Sequence, residues 1–80
     1  MKVNFKYLGL PKKELKNEVK TIEVQAADVR ALLDKISKEY KVSKEIFKGC
    51  YYMVNNKKAD LDTKLKDGDY VLITKSLGGG

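Results

Sequence analysis

Eighty residues with 42% hydrophobic and 35% charged side chains amount to one domain, near the lower size at which a hydrophobic core supports itself. With no histidine and one cysteine, Cys50, the sequence lacks an internal disulfide, the commonest general base and any cysteine pair for a zinc site. The formal charge is +6, from sixteen lysines and one arginine against eleven carboxylates. The lysines are spread over every segment and arginine is nearly absent, which argues for a solvated basic surface and against a nucleic-acid partner.

"MKVNFKYL" places Val3, Phe5 and Tyr7 on one side and Lys2, Asn4 and Lys6 on the other, the period of a half-buried strand. Because this start alternates, it is no apolar signal core, and no stretch reaches the roughly 20 apolar residues of a membrane helix. A cytoplasmic protein without a membrane partner is the expectation. In "GLPKKELKN", Gly9 and Pro11 break the pattern and make a connection. "EVKTIEV" resumes the strand signal with Val19, Thr21, Ile22 and Val24, so the first two strands are expected to pair as an antiparallel hairpin.

The period then changes. Val29, Leu32, Leu33, Ile36 and Tyr40 stack along one side of a helix expected near residues 28 to 41, with Asp28 as its N-cap and Lys38 and Lys41 at the negative end of its dipole. "VSKEIFKG" fits a short helical turn with Phe47 at the core edge. "CYYMVNN" reads as a strand closed by Asn55 and Asn56, which tolerate left-handed conformations. "KKADLDTKL" fits an edge strand and a helical turn with Leu61 and Leu65 pointing inward, and "KDGD" a tight turn on Gly68. In "YVLITKS", Val71 and Ile73 take the buried side of a last strand and Tyr70 and Leu72 the opposite one. That order fits an α+β fold with a mixed four- to five-stranded sheet packed on one main helix.

Catalytic and binding motifs fail individually. An EF-hand begun at Asp60 would need an oxygen ligand at Lys64 and glycine at Leu65, so Asp60, Asp62, Asp67 and Asp69 read as turn chemistry. A phosphate-binding glycine loop needs a helix after it, and the glycines here close the sequence. Cys50, with no histidine to activate it, reads as structural. No enzyme active site and no bound cofactor are expected.

The ending is different. Residues 1–75 read as the domain and 76–80, "SLGGG", as a flexible glycine tail. Such a tail adds nothing to a core, but its five residues extend to roughly 17 Å, and glycine backbone passes channels that reject side chains. A free α-carboxylate is ionised at neutral pH and resists nucleophiles until activated, for instance as an acyl-adenylate.

The order of elements, "VNN" after the third strand, "LKDGDYVLI" and the terminal Gly79-Gly80 resemble the β-grasp, ubiquitin-like sulfur carriers, namely the molybdopterin synthase small subunit and the thiamine-biosynthesis sulfur carrier. The resemblance implies a β-grasp fold and a non-catalytic carrier whose Gly80 carboxylate is adenylated with ATP by a ubiquitin-activating-type enzyme. A sulfur donor then makes it a thiocarboxylate, for transfer toward molybdopterin, thiamine or tRNA thiolation. The implied partners are the adenylating enzyme, the sulfur donor and a larger synthase subunit, with Gly79 and Gly80 at the reacting end. Tyr70 and Leu72, with Leu8 or Leu10, form the candidate docking patch, and Leu77 and Gly78 enter the partner with the tail. Where molybdopterin-type members carry prolines before the diglycine, this sequence has Lys75, Ser76, Leu77 and an extra Gly78, and Tyr70 stands where an acidic residue is frequent.

Two other readings stay open, a protein modifier joined to lysines through Gly80 and a basic RNA-binding β-grasp module. Deletion of Gly79 and Gly80 separates them. Carrier and modifier chemistry is lost in the truncated chain, whereas RNA binding, measured as a steeply salt-dependent affinity, would survive it.

Overall fold

The computed structural model describes residues 1–9, 15, 17–25 and 28–75. In chain order these form β1 (Lys2–Leu8), β2 (Lys20–Glu23), α1 (Val29–Tyr40), a 3-10 turn (Lys44–Phe47), β3 (Cys50–Val54), β4 (Lys57–Ala59) and β5 (Tyr70–Lys75). One five-stranded sheet results, in the order β2-β1-β5-β3-β4. β5 lies in its middle, parallel to β1 and antiparallel to β3.

Alternation decides which side of the sheet is covered. Val3, Phe5 and Tyr7 of β1, Ile22 of β2, Tyr52 of β3 and Val71 and Ile73 of β5 are all buried on the side that faces α1. The helix supplies Val29, Leu32, Leu33 and Ile36 to the same core. Phe5 meets Tyr40 edge to face with ring centroids 5.8 Å apart, and Tyr7 meets Phe47 at 5.9 Å, a favoured geometry because the positive ring edge faces the negative π face. The Tyr7 hydroxyl donates to the Ile46 carbonyl at 3.1 Å, which ties the 3-10 turn to β1. Gly9 makes room for that arrangement, because a Cβ there would collide with the Tyr7 ring.

Local signals set the ends of these elements. Asp28 caps α1 by accepting from Ala31 N at 2.9 Å, and Lys41 ends the helix in the left-handed region at φ 56°. Asn55 and Asn56, at φ 52° and 69°, turn β3 into β4. At φ +88°, Gly68 makes the turn into β5, and its N–H donates to Lys2 O at 2.7 Å. The acidic residues act as turn acceptors. Asp67 accepts from Lys2 N at 2.7 Å, Asp69 from Lys66 N at 2.7 Å, and Asp60 from Asp62 N at 2.9 Å.

β2 is shorter than the run from Val19 to Val24 suggests. Val24 is buried beyond its end, and Val19 is 57% exposed before its start. Leu15, in a segment that reads as a polar connection, is 1% exposed and joins the core. No helix among the described residues is long and apolar enough to cross a membrane.

Ile73 is fully buried in the middle strand, so Ile73→Ala should cost about 2–5 kcal/mol, whereas Asp28→Ala, which removes one cap, should cost about 1 kcal/mol. Urea unfolding of the two variants checks the difference.

Candidate functional site

The central position of β5 fixes where the chain leaves the sheet. Val71 and Ile73 hold β5 to the core, and its backbone is paired on both sides through to Thr74, opposite Leu8 and Tyr51. Lys75, the last residue of β5, pairs with Cys50, the first of β3. Its ammonium reaches across to the turn before β3 and donates to Lys48 O at 2.6 Å. Gly49, in that turn, has φ +78°. Backbone and side chain thus both secure residue 75, and residues 76–80, with Leu77, Gly78, Gly79 and Gly80, lie outside the described residues.

On the side away from the helix the same alternation gathers a different set. Tyr70, Leu72 and Thr74 of β5 lie beside Asn4, Lys6 and Leu8 of β1, and Leu72 and Thr74 lie beside Met53 and Tyr51 of β3. Leu8 is 37% exposed and Tyr51 50%, whereas Tyr70, Leu72 and Met53 are half-buried. The result is an apolar strip along the outer face, from Tyr70 at the start of β5 through Leu72 and Met53 to Leu8 and Tyr51 near its end. Tyr51, Tyr52, Met53 and Lys58 line an open cleft of roughly 440 Å³ beside it.

Of the expected docking residues, Tyr70, Leu72 and Leu8 share this face, and Leu10 lies outside the described residues. Tyr51 and Met53 were missing from that expectation. The signal for them is the alternation of "CYYMV", which puts them opposite the buried Tyr52 and so beside Leu72 and Thr74.

Cys50 is half-buried at the root of the tail, with its Sγ 3.6 Å from Ile46 O. Burial pushes the thiol above its ordinary pKa, partly opposed by the Lys75 ammonium. The neutral thiol is therefore the form the fold favours, and the stability this contributes fades as pH rises above the ordinary thiol value.

Comparison with known proteins adds a family and its structures. The model described as the ThiS family matches residues 5–80. A putative molybdopterin converting factor, subunit 1, from Pyrococcus furiosus is 27% identical, with a TM-score of 0.75 over 95% of this chain and 98% of that one. Subunit 1 in the complex of subunits 1 and 2 of molybdopterin-converting factor from Helicobacter pylori 26695 is similar at 31% identity and a TM-score of 0.67, over 100% of both chains. SAMP1 from Haloferax volcanii has the same fold at 15% identity, with a TM-score of 0.74 over 100% of both chains. No curated protein matches.

The environment of Cys50 gives a direct test of the tail root. Iodoacetamide should alkylate the folded protein more slowly at pH 8 than the urea-unfolded chain, with the folded protein's rate profile displaced to higher pH. Equal profiles would mean that the thiol is solvated.

Proposed function

The chain belongs to the ThiS family of small ubiquitin-like sulfur carriers, and from that premise we propose that it carries sulfur on the carboxylate of Gly80. The observation behind this reading is the family match through residue 80 together with the position of β5. The middle strand of the sheet ends two residues before the glycines, so a partner that grips the domain also limits where the carboxyl group arrives.

In this reading the carrier's own residues do no bond making apart from the carboxylate itself. An adenylating partner joins a Gly80 oxygen to the α-phosphorus of ATP and releases pyrophosphate. The carbonyl carbon, no longer deactivated by a negative charge, then accepts a persulfide sulfur as AMP leaves, and reduction of the S–S bond by a thiol leaves the thiocarboxylate. Catalysis in such a scheme depends on positioning, since each step needs the carbonyl held within near-attack distance of its nucleophile. Glycine at 78, 79 and 80 lets the backbone enter a narrow cleft, and five residues past Lys75 give it roughly 17 Å of reach.

The outer face supplies the grip. Leu72, Tyr70, Met53, Tyr51 and Leu8 form an apolar surface that runs along β5 toward the tail root, of the kind that marks a protein–protein contact. The Helicobacter pylori relative forms a complex with a second subunit, which supports a partner of that sort here. Leu77 and Gly78 then follow the tail into the partner.

Incubation with ATP, an adenylating enzyme that exchanges pyrophosphate in a carrier-dependent way, and a persulfide donor should change the intact mass by one oxygen replaced with one sulfur. Leu72→Asp should fold normally and slow that conversion by about tenfold or more, because it buries a charge in the contact. An unchanged mass with an enzyme that does exchange pyrophosphate on this carrier would refute sulfur loading. A mass increase by a whole second protein, mapped to a lysine and Gly80, would reassign the chain as a modifier.

A further inference from the structure

The outer face carries like charge at both ends of one row across its middle. A single row crosses four strands there, Lys6 beside Leu72, Leu72 beside Met53 and Met53 beside Lys58. Two cations thus stand at the ends of an apolar pair. Neighbouring strands are spaced about 4.8 Å apart, so three steps put the two lysine Cα atoms roughly 14 Å from each other. Neither lysine is in an ion pair among the described residues.

Among the described residues, the carboxylates near this row are engaged elsewhere, Glu18 by Lys20 at 3.3 Å among them. Glu23, on the outer edge, is held by the N-terminal ammonium at 2.8 Å. Asp67 and Asp69 serve the turn at the far end of β5, accepting from Lys2 N and Lys66 N. Asp60, which follows β4, accepts from Asp62 N, and Asp62 pairs with Arg30 at 2.6 Å. On the helix side of the sheet, Asp34 pairs with Lys44 and Glu39 with Lys35.

We propose that the surface docking on this face is an apolar ridge flanked by two carboxylates roughly 14 Å apart, which pair with Lys6 and Lys58. The proposal rests on the reading of this face as the carrier's grip and adds the partner's charge pattern. A second copy of the chain does not fit, since a +6 molecule would bring lysines against lysines. Nucleic acid fits poorly, because the centre of the row is Leu72 and Met53 and its borders hold no arginine to fork onto phosphate. Opposite charge at the rim chiefly raises the association rate and rejects wrong partners, so the lysines act as a selectivity filter around an apolar contact.

Two experiments carry the test. In the first, ¹⁵N-labelled protein is titrated with a leucine-rich peptide bearing a glutamate at each end, with its lysine-ended counterpart, and with a short single-stranded RNA. Amide shifts confined to the region of Lys6, Met53, Lys58 and Leu72 with the acidic peptide alone support the proposal. Equal shifts with the lysine-ended peptide, or tighter binding of RNA at these residues, overturn it. In the second, carrier-dependent ATP–pyrophosphate exchange is measured with the double variant Lys6→Glu/Lys58→Glu and the adenylating enzyme. The expected result is a KM for the carrier raised about tenfold at low salt and less at high salt, with kcat unchanged. A KM equal to that of the wild type overturns the proposal. Absence of exchange with the wild-type carrier would instead remove the reading of Gly80, and the peptide titration would still decide the charge pattern.

Discussion

Burial of Val71 and Ile73 in the middle of the sheet is the constraint on which the other features depend. Both side chains are fully buried beneath α1, and the strand that bears them is bonded to β1 on one side and β3 on the other. A strand so placed cannot slide by one residue without moving its apolar side to solvent and its half-polar side into the core. The register therefore fixes Lys75 as the last anchored residue, Leu72 as the centre of the outer strip, and Lys6, Met53 and Lys58 as its neighbours.

The same alternation that builds the core builds the opposite face, so stability and recognition are two readings of one strand. Residues 71 and 73 hold the domain together, and residues 70, 72 and 74 lie on the outer face that we propose a partner meets. Because they are interleaved, a partner on the outer face is in rigid register with the end of β5. The proposed carrier role needs this geometry, since its chemistry would occur on another protein and this chain would contribute the placing of one carboxyl group. Cys50, half-buried at the tail root, is pushed by burial toward its protonated and less nucleophilic form.

Much of the fold was legible because it rests on short-range rules. Period two in "MKVNFKYL" and "YVLIT", the 3.6-residue spacing from Val29 to Tyr40, the Asp28 cap and the Asn55-Asn56 and Gly68 turns all correspond to elements found in place. Features that depend on distant partners were not legible. Leu15 lies alone among lysines and glutamate in a segment without periodicity, and only the folded chain buries it. The reach of Lys75 to Lys48 O and of the Tyr7 hydroxyl to Ile46 O joins residues 27 and 39 positions apart. On the outer face, Tyr70 and Leu72 follow from one strand's alternation, but their union with Tyr51, Met53, Lys6 and Lys58 requires the strand order, which the sequence does not spell out.

The central claim is that sulfur resides on the last carboxyl group and on no side chain. It is tested most directly by loading the carrier with ³⁵S from a labelled persulfide donor in the presence of ATP and the adenylating enzyme. Trypsin cleaves after Lys75, which releases Ser76 to Gly80 as a separate peptide from the one containing Cys50. The account predicts label in the Ser76 to Gly80 peptide, dependent on ATP. Label in the Cys50 peptide, formed with or without ATP, would contradict it.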